Sequence, residues 1–164
     1  MAVVVAAVVV TGCSPSASLP SNCSSTPGPS VNLGGCDLHG VNLSGRNLQG
    51  AYFVGANLSG ANLSGANVSH VNFASATMTN ANLTSADLSS SDLSGATLTG
   101  ATLTGAQATF ATFSSANLTN ANLSGADLTN GNLVGATLTG AIWSSTTCPN
   151  GAVQSTECPR TSAG

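Results

Sequence analysis

Lysine is absent from this chain, arginine occurs only as Arg46 and Arg160, and all charged residues together make up 4% of the sequence. Ordinary soluble domains carry roughly 25%, so neither a polybasic surface nor a strong acidic field is available, and nucleic acid is not an expected partner. The acids are Asp37, Asp87, Asp92, Asp127 and Glu157, and the pI of 4.7 reflects the shortage of bases rather than an excess of carboxylates. Aromatic residues are scarce as well, at 4%, so any core must be built mainly from aliphatic groups. Asn, Ser and Thr are left to hydrate the surface.

Residues Ala2 to Val10 are continuously apolar. Nine residues are too few for a membrane-spanning helix, which needs about 20, but they suit the apolar region of a secretion signal. No Lys or Arg precedes them, although such signals usually begin with positive charge; a start further upstream would supply it. Val10-Thr11-Gly12-Cys13 resembles the bacterial lipobox, in which cleavage leaves a lipid-modified cysteine as the new N-terminus. That resemblance implies a signal peptide over residues 1–12, lipidation at Cys13, a membrane contact through the lipid anchor, and an extracellular or cell-surface address on a bacterial envelope. Residues 13–30 are rich in Ser and Pro and read as a tether leading into an N-terminal cap.

From Val31 the chain reads in fives: Val31-Asn32-Leu33-Gly34-Gly35, then Cys36-Asp37-Leu38-His39-Gly40, without an insertion to Ala141-Ile142-Trp143-Ser144-Ser145. These 23 units share one phase, with Ala usual at the first position, Asn, Asp or Thr at the second, and Leu at 16 of the third positions. A period of five matches neither a helix face at 3.6 nor a strand at 2. It matches a chain that turns a corner every five residues and points its first and third side chains inward.

The A-(N/D)-L-x-x pattern resembles the pentapeptide-repeat family. The resemblance implies an all-β fold, a right-handed quadrilateral β-helix with four repeats per coil, spanning residues 31–145 in about six coils, with residues 146–164 as C-terminal cap and tail. At a strand spacing of about 4.8 Å the stack would stand roughly 28 Å tall. The exceptions to Leu test the count of four: Phe53, Phe73 and Phe113 are separated by multiples of 20, so all three fall on one face. The unit Ala106-Gln107-Ala108-Thr109-Phe110, with a shrunken centre and a Phe at a corner, predicts either a local distortion or an exposed apolar spot.

Five cysteines are an odd number. If Cys13 takes lipid, Cys23, Cys36, Cys148 and Cys158 remain, with three pairings open. In a four-repeat coil Cys36 and Cys148 stand roughly 27 Å apart along the stack, whereas bridged Cα atoms lie within about 7 Å. The expected bridges are therefore Cys23 with Cys36 and Cys148 with Cys158, each closing one end, and an oxidising environment follows from them.

His39 and His70 fall on different sides of such a stack, with no cysteine or paired carboxylate near either, so neither a metal site nor His-based catalysis is expected. Asp37, Asp87, Asp92 and Asp127 all take the outward second position, where Asn is the rule. Asp87 and Asp127 share a face but sit two coils apart, too far for paired carboxylate chemistry. No cofactor is implied, and the chain reads as a non-enzyme.

One surface pattern stands out: Thr77 and Thr79, Thr97 and Thr99, Asn117 and Thr119, Thr137 and Thr139 would form a ladder up four coils. Flat Thr ladders resemble the ice-binding surfaces of some antifreeze proteins, although Thr also suits any exposed pleated surface. Three functional readings follow. The first is a lipid-anchored scaffold or binding protein with an unknown protein or surface partner. The second is DNA mimicry directed at DNA gyrase, which some pentapeptide-repeat proteins perform but which needs many acids and commonly a helical dimerisation module. The third is a water-structuring surface. The residues Thr146-Thr147-Cys148-Pro149-Asn150-Gly151 read as a turn, not a helix.

Overall fold

The structure is a computed structural model and describes residues 21–159. The segment 1–12, residues 13–20 of the tether with Cys13, and residues 160–164 of the tail lie outside the described residues. No described helix is long and apolar enough to cross a membrane. A 3-10 helix, Ser21–Ser24, opens the described chain, and a short antiparallel hairpin closes it, formed by β1 (Thr146–Thr147) and β2 (Val153–Gln154). Between them each five-residue unit contributes one residue to parallel ladders whose partners are always twenty apart, from Asn32 with Tyr52 to Asp127 with Thr147. Four units therefore make one turn of the chain. The pairing runs through Thr147 and the Asn130 N–H bonds to the Pro149 carbonyl, so residues 146–150 act as a further unit beyond the uninterrupted tract.

The unit is explained by following its five backbone N–H groups, all of which must find acceptors if the coil is to be buried. In the unit 61–65 the first N–H bonds back across the corner to the Leu58 carbonyl at 3.0 Å. The third and fifth, of Leu63 and Gly65, bond upward to the carbonyls of Asn82 and Thr84 at 2.7 and 2.9 Å. The second bonds downward to the Val41 carbonyl at 2.8 Å. Only the fourth has no backbone acceptor, and the Asn62 side chain supplies one, its Oδ1 receiving the Ser64 N–H at 3.1 Å. This is an Asx turn, and it accounts for Asn or Asp at the second position.

The fifth position carries positive φ in every unit from Gly35 to Ser145. A tight turn with its third residue at positive φ needs Gly or Asn there at low cost, and Gly fills 13 of these 23 corners. Phe110, at φ 59, is the bulky exception. The ladder continues past it unbroken, with Ala108 N–H to Asp127 carbonyl at 2.7 Å and Phe110 N–H to Thr129 carbonyl at 2.9 Å. The backbone is thus undistorted at this unit, and the Phe110 side chain is 61% exposed.

First- and third-position side chains fill the interior. Leu63, Leu83, Phe53 and Phe73 are completely buried, and the two Phe rings stack with centroids 5.2 Å apart. Each buried Leu or Phe contributes on the order of 1.5–3 kcal/mol, offset against the entropy of ordering the chain. The few buried polar groups are satisfied: Ser91 Oγ donates to the Leu88 carbonyl at 2.6 Å and Thr146 Oγ1 to the Leu123 carbonyl at 2.8 Å. At the ends, Cys23 is bonded to Cys36 and Cys148 to Cys158, with Cα separations of 5.5 and 5.3 Å. Both bridges are buried and tie the flanking segments to the first and last coils.

Candidate functional surface

Second- and fourth-position side chains of a unit point to the same side, so the molecule presents four flat faces of paired columns. On one of them the ladder Thr77, Thr97, Asn117, Thr137 is hydrogen-bonded strand to strand. Thr79, Thr99, Thr119 and Thr139 are stacked beside it through the bonds of the Asn80, Gly100 and Asn120 N–H groups to the carbonyls of Thr99, Thr119 and Thr139. Thr77, Thr137 and Thr139 are exposed and the others half-buried. Asn117 breaks the hydroxyl row and accepts the Thr119 hydroxyl at 2.6 Å as well as its N–H at 3.1 Å.

The same face carries His39, and here the geometry differs from the sequence expectation. His39 does meet a carboxylate: its ring donates through Nδ1 to Asp37 Oδ1 at 3.1 Å. Asp37 also accepts the His39 N–H and the Asn57 side-chain amide. Burial pushes the Asp37 carboxyl upward, but the hydrogen bonds and charge of His39, with the Asn57 bond, outweigh it and hold the group below its ordinary 3.8. The pair is open to water, with side chains 60% and 38% exposed, and holds no nucleophile. His70 sits at a corner on another side of the stack.

The remaining acids serve the turns. Asp87, Asp92 and Asp127 accept the N–H groups of Ser89, Ser94 and Thr129 at 3.0, 2.9 and 2.9 Å, as Asn does elsewhere. Gln107 lies between Asp87 and Asp127 in their ladder, which keeps the two carboxylates apart. Among the described residues no group of three His, Cys, Asp or Glu side chains is placed to hold a metal. The turn-capping role was hidden in the sequence, although its signal, an Asn or Asp two residues before a small polar residue in unit after unit, was present.

A stack of five-residue units, four to a turn, with inward first and third positions and a side-chain-capped corner, defines a four-sided β-helix. The family model for pentapeptide repeats matches eight copies over residues 36–73, 66–105 and 106–142, and the chain belongs to this family, whose members fold as right-handed quadrilateral β-helices. Among solved structures it is similar to Rfr23, a pentapeptide repeat protein from the cyanobacterium Cyanothece 51142, with 31% identity over 67% of this chain and 85% of that one and a TM-score of 0.58. It is also similar to alr5209, a pentapeptide repeat protein from Nostoc Pcc 7120, at 41% identity over 43% of this chain and 62% of that one, TM-score 0.39. Trypsin-treated QnrB1, a plasmid-mediated fluoroquinolone resistance protein, shares the fold at 16% identity over 72% of each chain, TM-score 0.50. No curated protein sequence matches the chain significantly.

Proposed function

We propose that this chain is a non-enzymatic pentapeptide-repeat scaffold or binding protein that works outside the cytoplasm, held to the cell envelope by lipid on Cys13. In this reading residues 1–12 are removed as a signal, 13–30 span from membrane to stack, and six coils present neutral faces of Asn, Ser and Thr to a protein or surface partner. The observation that carries it is the closure of both ends by disulfides, Cys23 with Cys36 and Cys148 with Cys158. Such bridges persist in oxidising compartments and are rare where thiols are kept reduced. One acyl chain anchors only marginally, and the several chains of lipobox processing would be needed for stable retention. Fractionation with a labelled lipid precursor tests this: label on the wild type and none on Cys13→Ala is the expected result. A soluble cytoplasmic protein with free thiols would defeat the proposal.

The hydrogen-bonded Thr ladder favours a second reading, an ice- or water-structuring face, which absence of thermal hysteresis at high protein concentration would dismiss. DNA gyrase mimicry is the weakest of the three, because the stack carries four scattered Asp that cap turns. A supercoiling assay without inhibition at micromolar protein would close it.

A further inference from the structure

The two ends of the stack are complementary. At the C-terminal end the N–H groups of Leu133, Gly135, Leu138, Gly140 and Trp143 have no partner among the described residues. One coil earlier, Phe113, Ser115, Leu118, Asn120 and Leu123 each donate to a carbonyl nineteen residues on, at 2.7 to 2.9 Å. At the N-terminal end the carbonyls of Asp37, His39, Asn42 and Ser44 receive no donor, and the N–H groups of Asp37, Asn42 and Asn47 find no acceptor, among the described residues. The carbonyls of Gly131 and Ala141, which receive no donor among the described residues, are the acceptors that such second-position N–H groups meet between coils, so each end offers donors and acceptors that match those of the other.

They are also in register. The ladders repeat every twenty residues, and the units from residue 31 to residue 150 number 24, which is divisible by four, so the last unit completes a turn. The face due next at the C-terminal end is the face on which residues 31–35 begin. The fourth side is occupied at both ends by the chain itself, through Ser30 N–H to Gln49 carbonyl at 2.9 Å and Cys148 N–H to Ala152 carbonyl at 2.8 Å. Of the six exposed large apolar side chains among the described residues only Phe110 is mid-stack; Tyr52 and Val54 lie near one end, and Val134, Ile142 and Val153 at the other.

We propose that these ends are docking surfaces for a second copy of this chain, stacked head to tail so that the ladders continue from one copy into the next. The disulfide-held caps are what prevents it. Residues 23–30 cover the first coil and 148–158 the last, and while they are tied down the core leucines of two copies cannot meet. A contact joining unlike surfaces without closing a ring propagates into a filament. Uncapping requires a dithiol reductant: its thiolate attacks one sulfur, the protein leaves as two thiols, and the reductant departs as its own cyclic disulfide, two electrons and two protons having passed to the protein.

The test uses full-length variants opened at one end each, Cys23→Ser with Cys36→Ser, and Cys148→Ser with Cys158→Ser. Light scattering after gel filtration should show each variant monomeric alone and an equimolar mixture forming a species of about twice the mass. Self-association of either variant alone would overturn the proposal, since that needs like surfaces to pair, and so would a mixture that stays monomeric while far-UV spectra show both variants folded. Should a variant fail to fold, dithiol-reduced and alkylated wild type is imaged instead: rods of constant width and growing length are expected, and monomers or amorphous clumps would overturn it.

Discussion

Replacing Ala108 with Leu should destabilise the protein, and replacing Phe113 with Leu in the same chain should largely restore it. The third-position column on one side runs Leu48, Val68, Leu88, Ala108, Leu128, and on the next side Leu33, Phe53, Phe73, Leu93, Phe113, Leu133. Two of the three Phe follow, five residues on, a shortened residue: Val68 precedes Phe73 and Ala108 precedes Phe113. All four are completely buried. The ladder bonds of Ala108, Phe113 and Leu83 are equally 2.7 Å, so the backbone does not sag inward where the side chain is small. If the volume missing at Ala108 is filled from beside it, Phe113 is the neighbouring side chain with the volume to do so. A Leu at 108 then overpacks, at a cost of about 1–3 kcal/mol, and Phe113→Leu alone leaves a void costing a similar amount, roughly 1–3 kcal/mol. The double variant should lie within about 1 kcal/mol of wild type. Urea denaturation of the four proteins measures this, with the slope checked for constancy because stacked repeats can unfold in segments. Single effects that add to within about 0.5 kcal/mol would show that the two positions share no space.

Asn62→Ala leaves the Ser64 N–H without its 3.1 Å acceptor, and should cost about 0.5–1.5 kcal/mol in thermal or urea melts, whereas Asn62→Asp, which keeps the oxygen, should stay near wild type at neutral pH. Phe110→Asn relieves a bulky residue at φ 59 with the side chain that holds the same corner in Asn120 and Asn130 at φ 57. Stabilisation of up to about 1 kcal/mol is expected, with reduced binding of a hydrophobic dye, and a lower melting temperature would mean the ring makes contacts that outweigh the strain. For Asp37, whose folded carboxyl titrates below 3.8, the contribution is present above the unfolded value and is lost as pH falls through the folded one. Asp37→Asn should therefore lower stability slightly at neutral pH and remove a small part of the acid-induced loss below pH about 4; an unchanged acid limb would show that His39 does not favour the charged form.

The inward columns were legible because burial leaves a periodic mark: a Leu every fifth residue has no reading other than a wall facing a core, and the Phe at 53, 73 and 113 gave the number of walls. Two features were not legible, for one reason. The role of Asn at the second position depends on which backbone N–H the ladders leave unbonded, and the contact of His39 with Asp37 depends on the orientation of two exposed side chains; neither is written in the repeat. The corner at the fifth position was half visible, since Gly announces positive φ where it occurs, but Phe110 and His70 give no such sign. These constraints also locate where a partner's signature can be written. First, third and fifth positions answer to core and corner, and the second answers to the turn, so the fourth-position columns are the part of the surface the fold dictates least. One of them reads His39, Ser59, Thr79, Thr99, Thr119, Thr139, and another Gly34, Val54, Ala74, Ser94, Ser114, Val134. A ligand of the faces that discriminates at all must read these columns, so exchanging whole columns between faces is the substitution set that would move binding while leaving the ladders intact.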